Sequence, residues 1–470
     1  MDICQVKKIH MIGIKGVGMT MLAQYLAGQG IEITGSDTAE KFMTDAVLKK
    51  SGIKIFENFS PANIPADAEL IVHSTAYTAD NNEELKAARH GQARLLGYPE
   101  ALSQVFNRKY GIAVIGSHGK TTTTAWLGHC LNQAGLSPTV MAGATVPQFG
   151  GSALCGRSDY LIAELDEYQN KLRYFRPRAV LLNNIDYDHP DFFPDAASYG
   201  AVFVAFIKKI PKNGFLIANF DDAVIRKTAF VNCRSRVITY AIDEAADFIA
   251  FDIKTVAGLQ YFKVKMAEEG EEQDLKSSLL GDFCVKLAGR HNIYNALAVI
   301  AAAVELNVPL SSIRRGLAEF TGTSRRLQVL GEYRGALIID DYAHHPTEVK
   351  ATLAGVRELY PRRKITVVFH PHTYTRTLAL LEDFAGSFDH ADKIIILDIY
   401  GSAREKHGGV HSRDLVLKIK SRISKRKKEV KYIPALKECE DYLRSNIEKN
   451  EIILLMGAGD VFRIGENLLK

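Results

Sequence analysis

Short apolar runs that stop abruptly at glycine, serine, aspartate or histidine alternate along the chain with longer stretches in which apolar positions recur every three to four residues. The first pattern predicts strands buried on both faces, and the second predicts helices packed over them. Strands are expected at Lys8–Ile14, Glu32–Thr34, Lys54–Phe56 and Leu70–His73, with helices around Met21–Leu26 and Glu83–Leu85. A second series places strands at Ile112–Ile115, Leu161–Ala163 and Ala179–Leu182, a helix from Thr121 to about Ala134, and another over Ala296–Leu306. Between these, Phe248–Leu287 reads as an acidic antiparallel flap beside the main sheet. A third series has strands at Ala336–Ile339, Ile365–Phe369, Lys393–Leu397 and Ile452–Leu455. The fold class this predicts is α/β, in three domains that each rest on a mostly parallel Rossmann-like or P-loop-type sheet. The expected boundaries are 1–108, 109–322 and 323–470, with hinges near Arg108–Gly111 and Thr321–Ser324.

A chain of 470 residues is too long for one ordinary core, which agrees with several domains. No apolar run approaches the roughly 18 residues of a membrane span, and MDICQVKKIH lacks the apolar core of a signal peptide. A cytoplasmic protein without membrane insertion is therefore expected, as monomer or dimer. Six scattered cysteines point to neither a disulfide framework nor a cysteine-based zinc site. The net charge of +5 is local, because Lys418–Lys431 carries eight Lys/Arg against one Glu. With few aromatics, that segment reads as a solvated helix face, and no nucleic-acid partner is expected.

The chemistry sits where the strands end. Gly111–Thr124, GIAVIGSHGKTTTT, has the layout of a phosphate-binding loop: strand, tight turn, then a helix whose free N–H groups face an anion. Lys120 would meet the outer phosphates, and Thr121 would offer its hydroxyl to a magnesium ion. The glycine lies four residues before the lysine, at Gly116, and Val114 stands where the general pattern has it. Gly13-Ile14-Lys15-Gly16-Val17-Gly18-Met19 is a looser relative of the dinucleotide fingerprint, with Asp37 beyond the second strand placed to meet a ribose hydroxyl. Further strand tips carry Ser74, then Glu164-Leu165-Asp166-Glu167, then Asn183–Asp191 with His189. Asn292 and Asn295 share a helical face and could read an adenine edge, or Asn292 could serve as a cap.

In this order, GVGM, GSHGKTTTT, Glu164 with Asp166-Glu167, NIDYDH, GRHNIYN, SRRL, DDYAHHPTEV and HPHTYTRT resemble the Mur ligases from Ile9 to Leu469. The resemblance implies a UDP-binding N-terminal domain, a central ATPase and a C-terminal amino-acid-binding domain. The implied reaction is ATP-dependent activation of a carboxylate as an acyl phosphate, followed by attack of an amine, in peptidoglycan precursor synthesis. DDYAHHPTE and PHTYTRT are most similar to the branch that joins L-alanine to UDP-N-acetylmuramate. Gly116, Ser117, His118, Gly119, Lys120, Thr121 and Thr122 would then bind ATP, with Asn292 and Asn295 at adenine and Asp341 at the ribose. Magnesium would be held by Thr121, Glu164 and His189, and Arg326 would reach the γ-phosphate. Gly16, Val17, Gly18 and Met19 would hold the UDP diphosphate, with Ser36 and Asp37 near the uridine and Ser74 lining the same site. Tyr342, His344, His372 and Arg376 would line the amino acid, the arginine pairing its carboxylate. The catalytic set implied is Lys120, Glu164, His189, Arg326 and His344.

Three positions depart from or qualify the pattern. Ser117 replaces the usual threonine and keeps the hydroxyl. Thr373 stands where alanine-adding relatives commonly carry arginine, which removes a charge near the proposed carboxylate site. Asp191–Ile207 contains no lysine, so the carbamylated lysine of several other Mur ligases has no counterpart, in agreement with the alanine-adding branch. Two alternatives remain in view: a ligase recycling murein tripeptide onto UDP-N-acetylmuramate, and a nucleotide-sensing protein that only binds or hydrolyses ATP.

Overall fold

A computed structural model describes residues 3–267, 277–401, 405, 408–423 and 428–470. Residues 424–427 of the basic segment lie outside the described residues. Lys418 belongs to the helix Ser412–Ile423, whereas Lys431 lies in the strand Glu429–Tyr432. The expectation of one helical face therefore covers only the first part of that segment. The strand is the edge of its sheet, where charged side chains discourage pairing with other chains.

Three sheets organise the chain. The first is parallel throughout, in the order Lys54–Phe56, Glu32–Ser36, Lys8–Ile12, Leu70–His73, Arg94–Gly97. Strand order reverses between Lys8–Ile12 and Leu70–His73, and ligands of open α/β sheets bind in the crevice at such a switch point. The Gly13–Gly18 turn and Ser74 follow the carboxyl ends of those two strands.

The central sheet has ten strands, with Tyr110–Ile115 between Ala179–Leu182 and Tyr160–Glu164. Beyond Arg236–Ala241 it continues as Phe248–Val256, Leu259–Ala267 and Ser277–Val285, with antiparallel pairing among these three. The expected flap thus extends the main sheet. The third sheet runs Gln328–Tyr333, Ala336–Asp341, Glu451–Met456, Lys364–Phe369, Lys393–Ile396, Glu429–Tyr432, and its first strand alone is antiparallel.

Alternation along Tyr110–Ile115 sends its side chains to two different cores. Ile112 and Val114 pack with Trp126, Leu127 and Leu131 of the helix Lys120–Gln133, beneath the helices Arg290–Glu305 and Leu310–Glu319. The Trp126 ring stacks on Phe320 at 5.3 Å. Ala113 and Ile115 belong to a second core, which runs on through Phe106 and Phe175 to Leu22 and Leu26 of the first unit. That continuity bears on the hinge expected at Arg108–Gly111, because movement there would have to open a shared apolar core. Among the described residues, the buried clusters of the third sheet and the side chains packed against them run from Leu327 onward. Among the described residues, no buried cluster joins residues on both sides of the junction at Thr321–Ser324. Among the described residues, no helix is long and apolar enough to cross a membrane.

Candidate active site

The phosphate-type loop leaves the central strand at Gly116 and enters the helix Lys120–Gln133 at Gly119. Both glycines have positive φ, +129° and +79°. A Cβ on Gly119 would lie 2.5 Å from Asn295 Oδ1, so neither the backbone nor the space admits a side chain there. The neighbouring strand tip braces the loop. The Ser117 N–H donates to the Asn184 carbonyl and the His118 N–H to Asn184 Oδ1, while Asn183 Nδ2 donates to the His118 carbonyl and to the Thr123 hydroxyl. The Ser117 hydroxyl is held between the Asp186 carbonyl and Tyr199, whose own hydroxyl donates to Glu167. No acidic side chain occupies the helix's first turn, which leaves its N-terminus attractive to an anion.

Lys120 folds back over this loop. Its ammonium donates to the carbonyls of Gly116 (2.5 Å) and Ser117 (3.1 Å) and to Glu167 Oε2 (3.2 Å). Burial alone would lower its pKa, but the carboxylates of Glu167, Asp166 and Glu164 more than offset that and hold it above the ordinary lysine value. His189 lies on the other side of Glu167, with Nε2 3.7 Å from Oε1. Asp166, Glu167 and His189 bring three ligand atoms within 4.8 Å of one another. Glu164, expected to hold magnesium with Thr121 and His189, accepts the Gly143 N–H at 2.7 Å, and its charge acts on both Lys120 and Arg326. Thr121 is buried in the first turn of the helix. Of the carboxylates at this strand tip, Glu167 lies beside both Lys120 and His189.

Residues of the C-terminal unit complete the site. Arg376 makes a two-pronged pair with Asp188 of the central unit, Nε to Oδ1 at 2.8 Å and Nη2 to Oδ2 at 3.3 Å. Its expected role was to pair an amino-acid carboxylate, and in this structure the protein's own carboxylate occupies the guanidinium fork. Arg376 Nη1 also reaches His372 Nδ1 at 3.1 Å. The His372 ring lies 6.0 Å from that of His344, which is 5.2 Å from that of Tyr342. Burial pushes the imidazole of His344 down to about 4 and that of His372 down to about 2, so both are neutral at pH 7. Thr373 begins the helix Tyr374–Ala379 at a φ of +67°, an uncommon conformation for a residue with a Cβ.

Glu348 closes the circuit back to the phosphate-type loop. Its carboxylate accepts the His344 N–H, and it lies 3.2 Å from His118 Nδ1 and 3.7 Å from Arg326 Nη1. Burial disfavours the His118 imidazolium, yet hydrogen bonds to Asp186 and Glu348 outweigh it and push the pKa up to about 9. Arg326 also lies over the Tyr342 ring, 5.3 Å from its centroid.

A cleft of about 1320 Å³ opens beside this circuit, lined by His118, Gly119, Thr122, Asn292, Asn295, Arg326 and Asp341 among others. Asn295 Nδ2 donates to Asn292 Oδ1 and Thr123 donates to Asn295 Oδ1, while Asn292 Nδ2 donates to the Ala288 carbonyl. Gly289 holds the N-cap position and Asn292 lies inside the helix, so the capping alternative does not apply. Asp341 accepts the N–H groups of Leu327 and Ala343 and the Thr352 hydroxyl. These three cleft residues thus shape its wall through bonds within the protein.

In the first unit, Gly16 caps the helix Val17–Gly28, which contains Val17, Gly18 and Met19. Tyr98 packs against Gly18, and its phenol is pushed up by burial and by Glu164 and Asp166. The glycine turn therefore lies within electrostatic reach of the central acids. Asp37 accepts the Lys15 N–H at 2.7 Å and the Tyr77 hydroxyl at 3.4 Å. Ser36 is fully buried and donates to Glu84, so its hydroxyl faces the interior, where a uridine contact was expected. Ser74 caps the turn that follows it, accepting the Ala76 N–H.

Three family profiles match this chain: "Mur ligase family, catalytic domain" over residues 8–110, "Mur ligase middle domain" over 114–303, and "Mur ligase, glutamate ligase domain" over 325–459. The chain is 39% identical to a UDP-N-acetylmuramate–L-alanine ligase of Desulfitobacterium hafniense, covering 98% of this chain and 99% of that one. It is 40% identical to the protein of the same name from Alkaliphilus metalliredigens, covering 100% and 98%. The structure aligns with that of a UDP-N-acetylmuramate–alanine ligase of Thermotoga maritima at a TM-score of 0.80 and 26% identity, over 98% of each chain. A murein peptide ligase from Psychrobacter arcticus shares the fold at a TM-score of 0.73 and 23% identity, again over 98% of each. Three successive profiles and full-length relatives agree with the geometry above: this chain belongs to the Mur ligase family.

Proposed function

We propose that this protein is an ATP-dependent ligase that joins L-alanine to the lactyl carboxylate of UDP-N-acetylmuramate through an acyl phosphate, in cytoplasmic peptidoglycan precursor synthesis. The observation that carries the reading is the polar circuit. Lys120 and His189 flank Glu167 in the central unit, and Asp188 beside His189 pairs with Arg376 and through it reaches His372. Glu348 of the C-terminal unit meets His344, His118 and Arg326, the last two with Glu348 on the cleft wall. The names of the full-length relatives support the choice of substrates. In this reading residues 1–108 hold the sugar nucleotide at the switch-point turn, 109–322 hold ATP, and 323–470 hold alanine.

A carboxylate attacking the γ-phosphate brings two anions together, so cations must be in place before the reaction. Lys120 and Arg326 supply fixed positive charge, from the phosphate-type loop and from across the unit boundary. Asp166, Glu167 and His189 form a compact donor set that fits magnesium, since two of its members are carboxylates and that ion prefers oxygen, and Thr121 and Glu164 would add oxygen ligands beside His189. When bound, magnesium would neutralise phosphate charge. Neutral His344 would accept a hydrogen bond from the alanine amine, and the burial that pushes it down to about 4 disfavours full proton transfer to it. Closure of the units over bound substrates would keep water from the acyl phosphate.

Phosphate release with UDP-N-acetylmuramate and ATP, measured with and without L-alanine, tests the proposal. Release that depends on L-alanine is expected. Release that depends only on murein tripeptide would move the reading to the recycling ligase, and release independent of any amine would reject both.

A further inference from the structure

His118, Asp186 and His345 come from three separate segments, namely the phosphate-type loop, the loop after Ala179–Leu182, and the N-cap of the helix Pro346–Leu359. Their ligand-capable atoms lie within 4.8 Å of one another. His118 Nε2 is 3.0 Å from Asp186 Oδ2, and His345 Nδ1 is 3.5 Å from the same oxygen. In a tetrahedral shell with bonds of about 2.0–2.1 Å, neighbouring ligand atoms stand about 3.3–3.4 Å apart. The two separations bracket that value.

The outward nitrogens are tied in the manner of metal-binding histidines. His118 Nδ1 faces the Glu348 carboxylate at 3.2 Å, and His345 Nε2 faces the Tyr187 carbonyl at 3.2 Å. An imidazole whose far N–H is held by a carboxylate or carbonyl has its tautomer fixed and its other nitrogen turned inward. Both inward nitrogens here point toward Asp186. His345 Nδ1 accepts the Thr347 N–H at 3.3 Å and otherwise faces Asp186, and burial lowers the pKa of this imidazole. His118, Asp186 and Thr347 also line the large cleft, which leaves room for a fourth ligand from solvent.

We propose that His118, Asp186 and His345 form a site for a borderline-soft divalent cation of the zinc class, separate from the Asp166–Glu167–His189 group assigned to magnesium. Two imidazoles and one carboxylate suit zinc, cobalt or nickel better than magnesium. A cation bound here ties the phosphate-type loop to the C-terminal unit and takes the His118 side chain out of nucleotide binding. Zinc at this site therefore inhibits turnover. Binding displaces the proton from His118 Nε2, so affinity rises with pH.

Titration of the nucleotide-free chain with Co2+ reads the site directly, because low-coordinate Co2+ with nitrogen ligands absorbs visible light far more strongly than the hydrated ion. One Co2+ per chain is expected, displaced by Zn2+ and retained in excess Mg2+. His345→Asn keeps an N-cap oxygen while removing the imidazole, and Asp186→Asn removes the shared anion. Each should weaken Co2+ binding at least tenfold while far-ultraviolet circular dichroism stays unchanged. If one variant does not fold, the other decides. Absence of the band in the unsubstituted chain, or the same band and affinity in a folded variant, overturns the proposal. The titration uses no substrate, so its outcome is independent of the ligase reading. In the phosphate-release assay, zinc inhibition should require at least tenfold more Zn2+ in His345→Asn, and equal sensitivity would overturn the inhibitory role.

Discussion

Asp188→Asn removes one partner of a buried ion pair that spans the central and C-terminal units. Asp188 and Arg376 are 5% and 3% exposed, and their two contacts measure 2.8 and 3.3 Å. Removing one member of a buried pair costs about 3–5 kcal/mol, mostly because the other charge is left unpaired in a poor solvent. Arg376 would keep only the His372 nitrogen and carbonyl. Each unit has buried clusters of its own, so the cheapest relief is for the units to part at 321–324 and let Arg376 meet water. At about 1.4 kcal/mol per decade, the open-to-closed ratio should rise by roughly two to nearly four decades. Small-angle scattering should show a larger radius of gyration, and trypsin should cut faster near Arg325 and Arg326. Arg376→Met should do the same, whereas the double variant should open less than the product of the singles, since it leaves no orphan charge. Simple multiplication of the single effects would refute the reasoning. The acid dependence has a definite sign. Burial raises the Asp188 pKa, but Arg376 and His189 hold it well below 3.8. The stabilisation is therefore complete above pH 3.8 and lost only as pH falls through the depressed value. The unsubstituted protein should show no opening attributable to this pair between pH 5 and 8.

Glu167→Gln should lower kcat by about 10²–10³-fold, in line with loss of a fixed electrostatic partner, and affect ATP affinity far less; a rate within threefold of the parent's would remove Glu167 from the catalytic group. Gly119→Ala adds a methyl 2.5 Å from Asn295 Oδ1 at a φ of +79°, so a loss of about 1–3 kcal/mol in thermal unfolding and weakened nucleotide binding by calorimetry are expected. His118 titrates at about 9 in the folded chain against an ordinary 6.5, so its contribution of about 3 kcal/mol is full below pH 6.5 and lost as pH rises through 9. Melting temperature in EDTA should fall over that window, and Glu348→Gln should narrow the fall. Glu84→Gln places an amide among the four donors His10, Ser36, Ser60 and Asn63, and should cost about 2 kcal/mol or more. Because Ser36 adjoins Asp37, KM for the sugar nucleotide should rise more than KM for ATP; the reverse order would place that network outside the substrate site.

The types of residue at the site were legible because buried parallel strands read as apolar runs, and their tips stand out as polar interruptions. Leu70–His73 and Ala179–Leu182 have the bounds expected from sequence. Strands with mixed composition did not stand out. Thr139–Val146 contains two alanines and a glycine, and Gln328–Tyr333 carries a register shift between Val329 and Gly331. Partner choice was not legible either, because it is made across the fold. Glu348 meets His118 from 230 positions away, and Arg376 meets Asp188 from 188 away. Ser36 lies beside the Gly13–Gly18 turn, but which way its hydroxyl faces depends on Glu84, 48 positions further on. Within Glu164–Glu167, alternation along a strand cannot rank the carboxylates, because the strand Tyr160–Glu164 ends before Asp166 and Glu167.

Each cation suited to phosphate or carboxylate already has an anionic partner within the protein. Lys120 has Glu167, His118 has Asp186 and Glu348, Arg326 has Glu348, and Arg376 has Asp188. Arrival of a triphosphate is therefore an exchange of partners rather than the filling of a bare positive site. The carboxylates released in that exchange need cations of their own, and on the proposed reading a magnesium ion beside Glu167 would supply one. Nucleotide without a divalent cation would leave Lys120 shared between Glu167 and the phosphates, with the repulsion between those anions only partly offset. ATP affinity should therefore depend on Mg2+ steeply in the parent and weakly in Glu167→Gln, a comparison that calorimetry with and without EDTA makes directly. Equal Mg2+ dependence in the two proteins would mean that Glu167 serves only to park Lys120 between turnovers.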